Sequence, residues 1–285
     1  MSALAIVSTR RRRQWMGNGL SYLALILTVV IVLFPLYWMV TTSLKIPREI
    51  SRQPSLFPDL FTWRNYHTLI DDKHFLTNMK NSLIVATSVT AISLIISSFC
   101  AYSLVRYRYK FKGVVGRVIL FAYLTPSSLL FIPLSIIIAR LHLGNSLYGL
   151  ILVYLTFSLP LSTWLLQGYF RGVPKELEEQ AMVDGSTRMG AMFKILLPLS
   201  GPGLAAVAIF TFTGAWNELL LALIFITSED KRTVPLGINY LITSDVLPWG
   251  PVMAGAVLSS LPMMILYFIA QRFMVAGMTS GSVKG

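Results

Sequence analysis

Six apolar runs, each close to the thickness of a bilayer, limit what this chain can fold into more than any other feature. They are Leu20–Ser43, Leu83–Val105, Val118–Ala139, Leu147–Phe170, Leu204–Ile226 and Val252–Ala270, of 24, 23, 22, 24, 23 and 19 residues, none with more than one formal charge. At about 1.5 Å of helical rise per residue, each roughly matches a hydrocarbon core of about 30 Å. Backbone polar groups find no water in lipid, so each run is expected to satisfy them internally as a helix. The expected fold is therefore an all-α, polytopic membrane protein with six transmembrane helices. Composition agrees, with 55% hydrophobic and 13% charged residues and a mean hydropathy of +0.67, where globular domains carry about 25% charged residues. Disorder is excluded by the hydrophobicity and a disulfide scaffold by the single Cys100.

The net charge of +12 would suggest nucleic acid in a soluble protein. Its placement argues otherwise. The N-terminus, Arg106–Arg117, Arg171–Gly203 and the C-terminus together hold 15 of the 24 Lys and Arg residues, and the three remaining connections hold 9. By the excess of basic residues the first set is cytoplasmic, with both termini on that side and Arg10–Arg13 anchoring the first span. No nucleic-acid partner is expected. The first run is too long for a cleaved signal, whose apolar region spans about 7–15 residues, and is read as a retained helix.

The longest outer connection, Leu44–Ser82, contains Pro47, Pro54, Pro58, Trp63 and Tyr66 and is expected to pack as a lid-like loop with short helices. It either covers the spans or docks an external partner. The cytoplasmic connection Arg171–Gly203 describes two helices and a turn. Pro174 suits a first helical position, and Glu176, Glu178 and Glu179 place negative charge at the positive end of the helix dipole. Leu177 and Ala181 share a face. Gly185 permits a left-handed residue where the helix ends, and Ser186 can cap the next. Met189, Met192, Phe193 and Leu196 then repeat at the spacing of one apolar stripe, before Pro198 interrupts it. A helical knob bearing acidic and apolar groups suggests a docking surface for a soluble partner, against the plainer alternative of a connection.

The segment Glu178-Glu179-Gln180-Ala181-Met182-Val183-Asp184-Gly185-Ser186, followed by Ile195-Leu196-Leu197-Pro198, closely resembles the EAA loop of ABC importer permeases, with Gln180 in place of the first alanine. The tail, Gln271-Arg272-Phe273 and Gly277–Gly285, is similar to that of the MalG-like, carbohydrate-uptake branch. Thr42-Ser43-Leu44-Lys45, Asn81-Ser82 and Gly214-Ala215-Trp216-Asn217-Glu218 support the likeness, which covers nearly the whole chain. The resemblance implies a MetI-like type I importer fold in which residues 1–285 form one permease domain of a bacterial or archaeal cytoplasmic membrane. It implies as partners a second, MalF-like permease, a homodimeric cytoplasmic ATPase and an extracytoplasmic solute-binding protein. ATP and Mg would be used by the ATPase, with no cofactor bound by this chain. Consistently, the sequence has no G-x-x-x-x-G-K-[ST] phosphate loop.

By that resemblance, Leu177, Glu178, Glu179, Ala181, Met182, Asp184 and Gly185 form the ATPase-coupling site, with Glu179 in ionic contact with an arginine. Thr279, Ser280, Gly281 and Lys284 form a C-terminal ATPase contact or, alternatively, a frayed end. Glu218, in the fifth run, either lines a translocation path with Trp216 and Asn217, bonds the sister permease, or reaches water. Charge at membrane depth faces protein or a watery cavity. Pro126, Pro133, Pro160 and Pro262 can bend their helices, which makes Tyr123, Thr125, Tyr154, Thr156 and Ser158 candidate path residues. His67, His74 and His142 show no metal-ligand spacing, and no nucleophile–base pair is present. A gradient-driven transporter or channel remains the second class, opposed by the docking hairpin. A membrane enzyme is the third, opposed by the lack of paired catalytic groups.

Overall fold

The computed structural model describes residues 2–52, 55–242 and 247–281, and every regular element among them is helical. In chain order these are α1 (Ser2–Ser43), α2 (Pro47–Arg52), α3 (Arg64–His67), a π-helical turn (Thr68–Asp72), α4 (Phe75–Arg106), α5 (Lys112–Leu124), α6 (Ser127–Arg140) and α7 (Leu147–Gly172). There follow α8 (Lys175–Val183), α9 (Arg188–Ala191), a second π-helical turn (Met192–Leu196), α10 (Leu197–Leu199), α11 (Gly201–Trp216), α12 (Leu220–Phe225), a 3-10 turn (Glu229–Lys231), α13 (Val234–Leu241) and α14 (Trp249–Gly281).

Among the described residues, four continuous helices are long and apolar enough to cross a bilayer: Ser21–Ser43 within α1, α4, α7 and Trp249–Arg272 within α14. The other two runs are bent, and with each bent pair taken as one span the described residues hold up to six. The third is broken between α5 and α6, which meet at 100°. Pro126 supplies no N–H, and its ring drives Thr125 into extended backbone (φ −72°, ψ 123°). The fifth is also discontinuous. Its helix α11 is preceded by a 76° bend from the Arg188–Leu199 segment and ends at Trp216, before α12 restarts at Leu220. Pro35, Pro133, Pro160 and Pro262 stay inside their helices.

Packing divides the chain into two compact units, residues 1–72 with 246–258, and residues 73–245 with 259–285. In the first, the apolar side chains of α1 from Tyr22 to Phe34 are exposed within the chain, as a helix facing lipid or another subunit requires. The expected lid begins at its end. Lys45 is buried, its Nζ over the Trp38 ring at 5.0 Å and donating to the Ser55 carbonyl. Asn65 Nδ2 donates to the Ser43 and Lys45 carbonyls at 2.8 and 2.9 Å. Glu49 Oε1 accepts from Ser55 Oγ (2.9 Å) and Asp59 N (3.0 Å). Through these bonds the Thr42–Lys45 fragment holds the loop against its own span.

The second unit is built on α4, α7 and α11. Ser82, Ala86, Ser93, Ser97 and Ala101 run along α4 as a buried stripe, and small residues of this kind let membrane helices approach closely. The polar members bond across the seam or back along the helix. Ser93 Oγ lies 2.9 Å from Ser158 Oγ, and Ser162 Oγ lies 3.0 Å from Thr211 Oγ1. One apolar cluster gathers Val85, Val89, Tyr154, Phe225 and Leu236, and a second gathers Ala101, Tyr102, Phe170, Met192, Leu196 and Val207.

Because Ala101 is fully buried in that seam, Ala101→Leu should destabilise the solubilised permease by about 1–3 kcal/mol through overpacking. Ile95→Ala, on the exposed face of the same helix, should stay within about 0.5 kcal/mol. Thermal unfolding in detergent measures both.

Candidate functional site

Two sites emerge, both within the second unit. The first is the hairpin after α7. Here α8 starts at Lys175 with Pro174 as its cap, one residue outside the expected position, and carries Glu176 and Glu178 in its first turn. It ends in two reciprocal bonds, Ser186 N to Ala181 O (2.9 Å) and Gly185 N to Met182 O (3.2 Å). This is the Schellman closure, which places the C′ residue in the left-handed region, and Gly185 has φ +89°. The second helix is capped by Thr187, whose Oγ1 accepts from Gly190 N at 3.0 Å, and not by Ser186. It is also not one α-helix, since the π-helical turn at Met192–Leu196 interrupts it. The expected stripe divides accordingly: Met192 and Leu196 are fully buried, whereas Met189 and Phe193 are about half exposed.

The two adjacent glutamates have opposite environments. Glu178 is buried, and its Oε1 accepts from Arg106 Nε at 2.6 Å, with the paired side chains only 9% and 4% exposed on the Arg106 and Glu178 sides. Arg106 Nη2 also donates to the Val173 carbonyl at 2.8 Å. Glu178 is therefore an internal anchor and offers no free carboxylate to a partner. Glu179 is exposed and bonded to Lys175 one turn back. The Lys175 ammonium, by hydrogen bond and by charge, holds its carboxyl below the usual carboxylate range. Leu177 and Asp184 are exposed, Ala181 and Met182 are half-buried, and Val183 stands 88% exposed at the tip. The crown of the hairpin thus presents apolar and acidic groups on a base tied into the helical core. The Arg106 contribution carries no sequence signal beyond its place at the end of the second run.

The second site is a cavity of about 360 Å³, within the roughly 300–1,000 Å³ of small-molecule sites. It brings together Tyr123, Thr125, Tyr154, Ser158 and Glu218, and adds Ser127 and Thr211, which no sequence pattern singles out. Both broken runs reach it, because Thr125 and Ser127 flank Pro126 and Glu218 lies in the gap between α11 and α12. Glu218 Oε1 accepts from Leu221 N at 2.9 Å, capping the restarted helix, while its carbonyl accepts from Tyr154 Oη at 3.2 Å. Trp216 and Asn217 are not among the lining residues. Trp216 is buried and stacked on Phe212, ring centroids 5.7 Å apart, so the adjacent residues do not share a wall once the helix has ended. Thr156 is likewise absent from the lining, bonding the Leu152 carbonyl at 3.3 Å.

Thr279, Ser280 and Gly281 continue the backbone of α14, but their side chains, and Lys284 entirely, lie outside the described residues. Among the described residues no three His, Cys, Asp or Glu side chains gather to hold a metal.

Residues 93–280 match the family model described as "Binding-protein-dependent transport system inner membrane component". The chain is 37% identical over 270 residues to the sulfoquinovosyl glycerol transport system permease protein SmoH of Agrobacterium fabrum, covering 94% of this chain and 95% of that protein. It is 36% identical over 277 residues to the trehalose/maltose transport system permease protein MalG of Thermococcus litoralis, covering 96% and 99%. It is 38% identical over 257 residues to the diacetylchitobiose uptake system permease protein DasC of Streptomyces coelicolor, covering 89% and 92%. In fold it is similar to a chain of a bacterial ABC transporter involved in the import of the acidic polysaccharide alginate, with a TM-score of 0.75 at 20% identity over 92% of this chain and 97% of that one.

No atom lies within 4 Å of a Cβ built on Gly185, so substitution there is opposed by backbone conformation alone. Gly185→Val should weaken the hairpin turn by about 1–2 kcal/mol, whereas Gly185→Asn should lose less. Hydrogen exchange of the Ser186 amide measures the difference.

Proposed function

Because the chain belongs to the family of binding-protein-dependent transport system inner membrane components, we propose that it carries a carbohydrate or a related polar solute across the membrane by alternating access. Members of this family are multi-pass permease subunits of ABC importers, and the ATPase is a separate subunit. The solute class rests on three relatives named for sulfoquinovosyl glycerol, trehalose/maltose and diacetylchitobiose, all of which contain sugar units. The hydroxyls and the carboxylate around the cavity suit such a solute, since each can donate to or accept from a polyol.

In this reading residues 1–285 act as one permease domain, paired with a second, MalF-like permease and supplied by an extracytoplasmic binding protein. Both termini and the hairpin face the cytoplasm, as the basic excess of those connections favours. A homodimeric ATPase, using ATP and Mg, receives the hairpin crown in a groove. Leu177, Ala181 and Met182 supply apolar area, Gly185 sets the turn and Glu179 meets an arginine. The tail Thr279–Gly285 lies against the ATPase pair. The observation that carries this reading is the exposed apolar and acidic crown on a base fixed by the buried Arg106–Glu178 pair. A mere linker has no need of such a base.

Glu179→Lys should leave the permease inserted and folded, since Glu179 is exposed, yet uncouple hydrolysis from transport. Unchanged solute-stimulated ATPase activity and uptake in proteoliposomes would remove Glu179 from the contact. Glu218→Gln keeps an oxygen to cap α12 but removes the charge. It should raise the solute concentration for half-maximal uptake about tenfold, as the loss of about 1.5 kcal/mol of charge-assisted hydrogen bonding implies. An unchanged half-saturation would take Glu218 off the path.

A further inference from the structure

Of the six apolar runs, only the one inside α4 contains neither proline nor glycine nor a break. Proline and chain breaks are usual causes of helix kinks, and α4 has neither, running unbroken from Phe75 to Arg106. Its 32 residues reach about 48 Å at about 1.5 Å per residue. The two ends are held by polar bonds and the middle by the close-packed stripe described above.

At the Arg106 end, α4 grips both helices of the hairpin. Arg106 holds α8 through Glu178, at 2.6 Å, and the chain before it through the Val173 carbonyl. Tyr102 Oη donates to the Arg188 carbonyl at 3.2 Å, and the Arg188 guanidinium sits 4.9 Å over the Tyr107 ring. At the opposite end α4 grips the segment between α12 and α13. Asn81 Nδ2 donates to the Asp230 and Arg232 carbonyls at 2.8 and 3.0 Å. Ser82 Oγ accepts from Val234 N at 2.7 Å. Asn78 lies so close to Gly237 that a Cβ there would fall 2.1 Å from its Nδ2.

We propose that α4 is a connecting rod: the Arg106–Glu178 latch passes displacement of the hairpin to α4, which delivers it to residues 230–237 at its far end. Arg106, Glu178 and Asn81 are then positioning residues for transport, touching neither nucleotide nor solute. A buried ion pair suits this role, because slipping either partner strands a charge away from water, and the pair resists shear as a greasy contact does not. The inference rests on the reading that an ATPase docks on the hairpin, and the experiment separates the two.

The complete transporter, in a Cys100→Ser background and reconstituted in proteoliposomes, is labelled with maleimide at Val183→Cys on the hairpin tip or at Glu229→Cys at the far end, with and without ATP and vanadate. In the parent both labelling rates should respond to nucleotide. In Glu178→Gln and Arg106→Gln the response at position 183 should persist while that at 229 is lost. Uptake per ATP hydrolysed should fall about tenfold, within the roughly 5–150-fold span of allosteric couplings. Asn81→Ala, which leaves the hairpin untouched, should give the same pattern and guards against misfolding at the latch. A full response at 229 in the three variants would overturn the rod while leaving docking intact. A parent in which position 183 ignores nucleotide would overturn docking and the rod with it.

Discussion

A carboxylate and a guanidinium buried together where the second span ends tie the hairpin to the membrane helices. Removing one partner from such a pair costs about 3–5 kcal/mol, because the other is left charged and out of water. Arg106 and Glu178 therefore keep the hairpin at one orientation relative to α4, and the buried Met192 and Leu196 dock it against Phe170 and Val207. What stays outside is the crown, with Leu177 and Val183 exposed along with Glu179 and Asp184. An exposed apolar patch on a rigid base is the physical description of a docking surface.

The middle of the second unit follows a different constraint. Two apolar runs break, and both breaks border the cavity. In lipid, freed backbone groups must find partners, so irregular chain survives only where protein or a watery space surrounds it. The gap in the fifth run meets this demand through Glu218, whose side chain caps Leu221 and whose carbonyl takes the Tyr154 hydroxyl. The same carboxylate that satisfies the backbone at the break also gives the cavity its one acidic side chain among the lining residues. Discontinuous helices at mid-membrane are a recurring way for transporters to build solute sites.

Much of this is legible in the residues. Apolar run length locates the four continuous span helices, and the hairpin's turn is visible in Gly185 because a Schellman closure needs a left-handed residue that glycine supplies without strain. Pro126 is visible as a bend site, but Pro133, Pro160 and Pro262 look alike in sequence and remain within their helices. The gap after Trp216 has no such marker, so the sequence places Trp216 and Asn217 beside Glu218 on one wall. Adjacent identical residues give no hint of their division: Glu178 turns inward to Arg106 and Glu179 outward to Lys175. That choice depends on a contact 72 positions away in the chain, which no local pattern records.

The hairpin crown is, on this account, the surface through which a separate ATPase works the membrane helices. Photo-crosslinking from Val183, the most exposed apolar side chain of the crown, tests it most directly when the probe replaces Val183 in native membranes containing the whole transporter. The account predicts one dominant adduct, to the ATPase, that disappears when the ATPase is stripped from the membrane. Adducts confined to lipid or to the extracytoplasmic binding protein would contradict it.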